Sequence, residues 1–316
     1  MSGYLVRRLL LLPPVLLGVA LVVFTVMSLV PGDPALAILG PYATPERLAA
    51  LRSELGLDQP WLLRFLGWLG GLARGDLGHS VALERPVLAL VLERLGPTLL
   101  LAGSALLLGT LLGLAAGLTA ARHHNRPLDR WVTLGILLGI SVPAFWLGLA
   151  LILIFAVWLG WLPASGMGSV WGTSGALDLA RHLVLPASSL ALVAGGVIGR
   201  LGRGAAIEVL AAPALQMARA RGIAEYRLLL VHGLRGVLAR LAPVIGLQAG
   251  FLLGGAVYIE TIFQWPGLGR LLVDAIAARD LLLVQGGVLV LATAYVLVNL
   301  VTDLLQHVLD PRTGGR

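Results

Sequence analysis

The sequence predicts an all-α polytopic membrane protein with six transmembrane helices. Of its 316 residues, 58% are hydrophobic and only 12% are charged, and the mean hydropathy is +0.92. A soluble domain of this size does not need so large an apolar fraction, because most of its surface must interact with water. Six apolar segments are each long enough to cross a bilayer core of roughly 30 Å. These segments are residues 9–30, 96–121, 131–159, 183–207, 241–263 and 282–306.

The composition excludes several kinds of active site. The chain contains no cysteine, which removes disulfides, thiolate zinc sites and cysteine nucleophiles. All 23 basic residues are arginines, which removes the lysine of a phosphate-binding loop and a lysine Schiff base. The six histidines do not have the spacing of metal ligands. We therefore predict no cysteine- or lysine-based catalytic residue and no metal or cofactor on this chain, so any ATP and Mg²⁺ that drive it bind to another subunit.

The arginines predict the orientation in the membrane. The first apolar segment follows Arg7 and Arg8 and, at roughly 22 residues, is longer than the apolar part of a signal peptide, which predicts an uncleaved anchor. Fourteen arginines and five acidic residues lie on the side that carries both termini, against nine arginines and eleven acidic residues on the other side. By the positive-inside rule, both termini lie in the cytoplasm. Topology therefore accounts for the net charge of +7, and no nucleic-acid binding is predicted.

The long segment between the first two predicted spans has the pattern of an ordered, helical cap outside the cytoplasm. Thr44 and Pro45 are an N-cap residue and a proline at the first helical position, and Gly56 ends that helix. A second amphipathic helix is predicted from the apolar residues Trp61, Phe65, Trp68 and Leu69. Two arrangements remain open: the cap lies on the outer bilayer surface and receives a partner, or it packs on the spans.

Residues 208–240 interrupt the apolar sequence with a polar, arginine-rich segment. This segment is too polar to cross a bilayer and too rich in helix-forming residues to be a slack linker. Gly222 divides it, which predicts a short amphipathic helix, a glycine turn and a second helical stretch suited to contact with another protein. The predicted domains are 1–30 for the N-terminus and first transmembrane helix, 31–95 for the cap, and 96–316 for a core of five transmembrane helices that contains this segment.

Glycines repeat at intervals of four residues within the predicted spans and predict close contacts between helix backbones. The rows are Gly109, Gly113 and Gly117; Gly135 and Gly139; and Gly246, Gly250 and Gly254. Among the few polar residues of the spans, Glu260 and Asp303 are ionisable. Both lie near the end of a span, which favours a structural role over ion coupling.

An ordered series of motifs then carries a resemblance over nearly the whole chain. The main motifs are Pro31-Gly32-Asp33-Pro34, Arg85-Pro86-Val87, Pro143-Ala144-Phe145-Trp146, Trp161-Leu162-Pro163-Ala164, Ala218-Arg219-Ala220-Arg221-Gly222, Glu260-Thr261-Ile262-Phe263, Trp265-Pro266-Gly267-Leu268-Gly269, and Leu309-Asp310-Pro311-Arg312. With these motifs, the chain resembles the inner-membrane permease subunit of the bacterial peptide/nickel ABC importers, which include the dipeptide, oligopeptide and nickel permeases.

The resemblance implies a type I ABC importer-like permease fold in the bacterial inner membrane. It also implies four partners besides membrane lipid: a second homologous permease subunit, two ATPase subunits and an extracytoplasmic substrate-binding protein. The implied ATPase-docking residues are Gln216, Met217, Ala218, Arg219, Ala220, Arg221, Gly222 and Ile223. The implied outer gate, a loop after the fifth span, contains Glu260, Phe263, Trp265, Pro266, Gly267 and Gly269.

The chain departs from the family pattern at several of these positions. The docking loop of the family begins Glu-Ala-Ala six residues before the glycine, where this chain has Gln216, Met217 and Ala218. A proline that is common after the loop is replaced by Arg240. After Asp280, the family usually has an aromatic residue and a proline, and this chain has leucines at both positions.

The transported substrate and two other classes of protein remain open at this point. Di- and oligopeptides are preferred as the broader class, and nickel or a metal chelate is the alternative. The motifs Arg122-His123-His124-Asn125-Arg126 and Trp161-Leu162-Pro163-Ala164 slightly favour this alternative. An ion-coupled secondary transporter is less well supported, because the sequence clearly shows neither inverted repeats nor charged or broken helices at the middle of the membrane. An intramembrane hydrolase would need a nucleophile and a base within the spans, and its candidates are Ser141, Ser165 and His182.

Overall fold

The fold of the computed structural model is helical, as the composition predicts. The structure describes residues 2–29, 34–40, 43–54, 56–169 and 175–309. The Pro31-Gly32-Asp33 motif and the tail from Asp310 onward lie outside the described residues. Up to the third span, the elements are α1 (Ser2–Leu29), α2 (Pro34–Leu39), α3 (Pro45–Glu54), α4 (Trp61–Leu72), β1 (His79–Ser80), β2 (Arg85–Pro86), α5 (Val87–Arg122), α6 (Pro127–Ser141) and α7 (Ala144–Leu151).

A π-helical segment, Ile152–Trp158, extends α7. The remaining elements are α8 (Ala176–Leu210), α9 (Pro213–Ala220), α10 (Glu225–Arg227), a second π-helical segment (Leu228–Gly233), α11 (Leu234–Ile262), α12 (Leu268–Ala277) and α13 (Leu281–Leu309). Within the described residues, five helices are long and apolar enough to cross a membrane, and the number is six if one bent pair of helices is counted as a single span. The five are Leu10–Leu29, Val87–Arg122, Ala176–Leu210, Leu234–Ile262 and Leu281–Leu304.

The third predicted span, residues 131–159, is not one straight helix. Residues Pro127–Ser141 and Ala144–Trp158 are bent by 102° relative to each other. Pro143 disfavours helical geometry at the residue before it, and Val142 is extended, with φ −89° and ψ 127°. The apolar pattern alone did not predict this break, because hydropathy continues across it.

The described chain forms two compact units, each with its own core. Unit 1 comprises residues 1–97 and 266–296, and unit 2 comprises residues 98–265 and 297–316. The core of unit 1 is built from apolar residues of α5, α12 and α13, including Val87, Leu268 and Leu283. Unit 2 has two core clusters, one of which contains Ile198 of α8 and Leu241 of α11.

In unit 1, a buried aspartate connects a short hairpin to the start of α13. Strands β1 and β2 pair antiparallel, with Ser80 opposite Arg85. The carboxylate of Asp280 accepts hydrogen bonds from Ser80 Oγ at 2.6 Å, from the backbone N–H of Ala82 at 3.1 Å and from the backbone N–H of Leu283 at 3.1 Å. The last bond is the N-cap interaction of α13. Asp280 therefore fixes both the hairpin and the helix start.

The aromatic face of α4 packs within unit 1. Phe24 of α1 lies 5.8, 5.2 and 5.7 Å, between ring centroids, from Trp61, Phe65 and Trp68. The prediction that these residues share one face of a helix is confirmed, and the face packs on a spanning helix. The N-terminal cap of α3 is also confirmed, because the backbone N–H of Arg47 donates to Thr44 Oγ1 at 3.4 Å.

In unit 2, the first predicted glycine row forms a close contact between α5 and α8. A Cβ atom on Gly113 would lie 2.5 Å from the carbonyl oxygen of Gly195, and Gly109 and Gly117 also face the backbone of α8. Gly139 of the second row faces Leu192, but the space around Gly135 is open. In the third row, Gly246 lies against Thr302, whereas Gly254 has open space.

This packing predicts opposite effects for two glycine-to-alanine substitutions. In Gly113→Ala, the added methyl group meets the backbone of α8, and we expect a loss of about 1–3 kcal/mol of stability from overpacking. The matched control is Gly135→Ala, whose Cβ meets nothing within 4 Å; it should be neutral or stabilising, since alanine favours the helix by up to about 1 kcal/mol. Thermal unfolding of the detergent-solubilised protein measures both, and equal midpoints for the two variants would contradict the α5–α8 contact.

Candidate functional site

The segment between α8 and α11 contains the predicted docking residues, and its local geometry follows from the sequence. Ala212 is extended, with ψ 138°, and Pro213 occupies the first helical position of α9. The helix ends in a left-handed turn at Gly222, with φ +80°. The N–H of Gly222 donates to the carbonyl of Arg219 at 3.0 Å, and that of Ile223 donates to Ala218 at 3.3 Å. This is a Schellman motif, and the predicted helix, glycine turn and second helical stretch are confirmed.

The docking residues present a continuous surface on α9 and its turn. Exposed members of the predicted set are Gln216, Met217, Arg219, Ala220, Arg221 and Gly222, while Ala218 and Ile223 are partly buried. The opposite side of the helix carries Leu215, which packs against the core cluster that contains Val209 and Val237. The surface is therefore held by apolar contact with both α8 and α11.

The second helical stretch of this segment is largely π-helical, which the sequence did not predict. Leu228, its first residue, is fully buried. Val209 of α8 lies against Gly236 of α11, where an added Cβ would approach its methyl groups to 3.4 Å. Because Gly236 has no side chain, α8 and α11 approach each other closely beside the predicted docking residues.

Two ion pairs connect the helices near this segment. Arg203 of α8 donates to both carboxylate oxygens of Asp129 at 2.7 Å. Asp129 is buried, and it also accepts from the backbone N–H of Asn125 at 3.0 Å and from Thr133 Oγ1 at 3.2 Å. The second pair joins Arg240 to Glu208. In the sequence these residues count only as charges, but an acid and an arginine within or beside apolar helices are a signal that they pair.

The Glu208–Arg240 pair is much more exposed than the Asp129–Arg203 pair. Its side chains retain 73% and 49% of their accessible surface, so screening by water leaves the pair little stabilising free energy. Its position is nevertheless informative. Arg240, which replaces the proline expected from the resemblance, lies on α11, and its partner Glu208 lies on α8. The pair therefore joins the two helices that precede and follow the predicted docking residues.

The predicted outer-gate residues divide between the two units, and the prediction that they all lie at the end of α11 or in a loop after it is wrong for Gly269, which lies within α12. Glu260, Phe263 and Trp265 are fully buried in unit 2. Thr98 Oγ1 donates to Glu260 Oε1 at 2.6 Å, and the carbonyl of Phe263 accepts from the N–H of Gly166 at 2.8 Å. In unit 1, the remaining residues are Pro266, Gly267, which is the extended N-cap residue of α12, and Gly269, which is buried within that helix.

Two of the side chains considered for a hydrolase contact carbonyl groups of their own helices. Ser141 Oγ donates to the carbonyl of Leu137 at 2.9 Å, one turn earlier in its own helix. His182 Nδ1 lies 2.9 Å from the carbonyl of Asp178, also one turn earlier. Both groups are thus occupied by local backbone contacts.

Comparison with known proteins identifies two sequence families along the chain. The family described as "Binding-protein-dependent transport system inner membrane component" matches residues 109–315. Its N-terminal counterpart, "Binding-prot-dependent transport system membrane comp, N-term", matches residues 1–102. Together, the two matches extend from the first helix to the tail.

Relatives of the same length are known in enteric bacteria. The chain is 40% identical over 311 residues to the glutathione transport system permease protein GsiC of Salmonella typhimurium strain LT2, and 39% identical over 311 residues to that of Escherichia coli strain K12. Each alignment covers 98% of both chains.

Among solved structures, the fold is similar to two inward-facing crystal forms of the MetNI methionine ABC transporter. The TM-scores are 0.58 and 0.54, at 17% and 19% identity, and each match covers 70% of this chain and 96% of the other. The predicted ABC importer permease fold is confirmed by this likeness.

The two ion pairs predict different costs of mutation. Asp129→Asn leaves the partly buried Arg203 without its charge partner, and we expect a loss of about 1.5–3 kcal/mol, because hydrogen bonds between charged groups are lost. The control, Glu208→Gln, breaks an exposed pair and should cost less than about 1 kcal/mol. The measurement is the thermal unfolding midpoint in detergent. If both variants unfold at the same temperature, the Asp129–Arg203 ion pair does not stabilise the packing of α6 on α8.

Proposed function

The chain belongs to the family of binding-protein-dependent transport system inner-membrane components, and we propose that it is the permease of an ATP-driven importer of di- and oligopeptides. It is a transmembrane permease subunit without an ATPase activity of its own. The substrate class is supported chiefly by relatives about 40% identical over 98% of the chain, which are named as permeases for glutathione, a tripeptide. The proposed partners are a second homologous permease, two ATPase subunits that bind ATP and Mg²⁺, and an extracytoplasmic binding protein.

In this proposal, α9 and its glycine turn are the contact with an ATPase subunit. Its exposed surface offers an apolar side chain, Met217, beside the guanidinium groups of Arg219 and Arg221. Such a surface suits an ATPase groove that has an apolar floor and acidic rim. Because Leu215 attaches α9 to the cluster shared by α8 and α11, a displacement of α9 is passed to both helices as a rigid-body movement.

Helix α11 provides a direct mechanical connection from the docking segment to the proposed outer gate. It begins at Leu234, immediately after the π-helical segment, and ends at Ile262 beside Glu260 and Phe263. At 1.5 Å per residue, its 29 residues span about 43 Å. Movement that starts when the ATPases close on ATP can therefore reach the buried Glu260–Thr98 contact through a single helix. In this proposal the docking segment and both termini lie in the cytoplasm, as the positive-inside rule predicts from the arginines.

The histidines that favoured nickel have other contacts. His123 Nδ1 lies 3.0 Å from the carbonyl of Thr119, and His124 Nδ1 lies 3.2 Å from an Arg203 nitrogen beside Asp129. These contacts fix the turn between α5 and α6. The proposal of a peptide substrate is therefore supported by the glutathione permease relatives, and nickel stays the alternative.

A substitution at the docking turn tests the coupling role. Gly222 has φ +80° and open space around it, so Gly222→Val strains the turn by roughly 1–2 kcal/mol without a steric clash. We expect normal membrane insertion and at least about a tenfold loss of ATP-driven peptide uptake, because a tenfold effect needs only about 1.4 kcal/mol. The matched control is Gly75→Val, which has φ +79° and equally open space but lies in unit 1. Uptake that falls equally in both variants would contradict a specific coupling role.

Purification of the tagged chain from gently solubilised membranes tests the composition of the complex. We expect mass spectrometry to find a second six-span permease and ATPase subunits with it, because a coupling helix has no function without a motor. Recovery of the chain alone, or of homo-oligomers without ATPase, would overturn the importer proposal. Uptake of labelled peptides and of nickel by the recovered complex in proteoliposomes, with its binding protein added, then separates the two substrates.

A further inference from the structure

A cavity in unit 1 is not accounted for by the transport function. Its volume is about 280 Å³, which is room for several groups of the size of a water molecule. Phe24, Leu63 and Leu282 supply apolar walls, and Arg64, Trp68 and Gln285 also line it. All of these residues belong to unit 1.

Three buried polar atoms of the lining residues have no hydrogen-bond partner in the described parts of the chain. They are Arg64 Nε, Trp68 Nε1 and Gln285 Oε1. The first two are donors and the third is an acceptor. Polar atoms that are buried in a native protein normally have a partner, and these three atoms belong to residues that line one cavity. They suit a ligand with both acceptor and donor groups.

The charge at the cavity indicates an anion. Arg64 forms no ion pair with any described residue, and its guanidinium lies 5.7 Å from the centroid of the Phe24 ring. Burial lowers the pKa of the Arg64 guanidinium, but an arginine remains cationic at neutral pH. A partly desolvated cation beside an indole N–H is a suitable site for the oxygens of a phosphate group.

The location indicates that this phosphate belongs to a lipid. Phe24 lies five residues before the end of one candidate span, and Leu282 and Gln285 lie in the first residues of another, so the cavity is at the ends of two membrane helices. Helix α4 also exposes Leu62, Leu63 and Leu66 beside the cavity. Headgroups lie at the ends of transmembrane helices, and acyl chains cover apolar surfaces such as this one.

We propose that the cavity binds a phospholipid that carries an amine, such as phosphatidylethanolamine. The phosphodiester accepts hydrogen bonds from Arg64 and Trp68, and the ammonium group donates to Gln285 Oε1. The acyl chains lie along Leu63 and the exposed leucines of α4. This lipid would hold α4 against α1 and α13 within unit 1.

Native mass spectrometry and thermal unfolding of the full chain in detergent test this lipid site. After delipidation, phosphatidylethanolamine, phosphatidylglycerol and soluble glycerophosphoethanolamine are added separately. We expect phosphatidylethanolamine to bind the unsubstituted chain and to raise its unfolding temperature. Arg64→Gln should weaken this binding about tenfold, since a charge-assisted hydrogen bond is lost. The control Arg47→Gln removes the same charge from an exposed position on α3 and should leave binding unchanged.

A second variant, Trp68→Phe, removes the indole N–H but keeps an aromatic ring against Phe24. It should weaken lipid binding without lowering the unfolding temperature of the lipid-free protein. Equal lipid binding by Arg64→Gln and Arg47→Gln would overturn the site. Equal binding of phosphatidylglycerol would overturn the role of Gln285 as the acceptor for an ammonium group, and binding of the soluble headgroup alone would overturn a lipid as the ligand.

Discussion

The close approach of α5 and α8 is the constraint on which the rest of unit 2 depends. Lipid chains are as apolar as leucine side chains, so apolar attraction alone does not hold membrane helices together. The row at Gly109, Gly113 and Gly117 instead lets backbone meet backbone. Of the apolar window of α8, 67% is buried, the largest share among the five unbroken candidate spans, and α6, α7 and α11 pack against this helix.

Buried polar contacts then position the elements that glycine packing leaves undetermined. Asp129 and Arg203 connect the start of α6 to α8, Asp280 connects the β1–β2 hairpin to α13, and Glu260 connects the end of α11 to Thr98. A buried carboxylate without such partners would be costly. These contacts are directional, and each therefore fixes a helix end that apolar packing alone would allow to slide or rotate.

The proposed functions of the two units differ because their surfaces differ. Unit 2 contains α9, whose exposed polar face and apolar attachment to α8 and α11 suit the transfer of force from another protein. Unit 1 contains an apolar helix face beside an arginine that has no described carboxylate partner. The first surface is suited to a protein partner that moves, and the second is suited to a lipid that stays bound.

The sequence by itself determined the class of protein, because helix length, apolar content and arginine placement are local properties that the bilayer reads directly. It also determined the caps at Thr44 and Gly222 and the shared aromatic face of α4, since each depends on residues a few positions apart. Only the tertiary structure decided the 102° bend before α7, the pairing of Asp129 with Arg203, the burial of Glu260, and the cavity at Arg64. The contacts join groups that are distant in sequence. The bend depends on whether neighbouring helices pack against the two halves of the broken helix. Local periodicity of apolar residues contains neither kind of information.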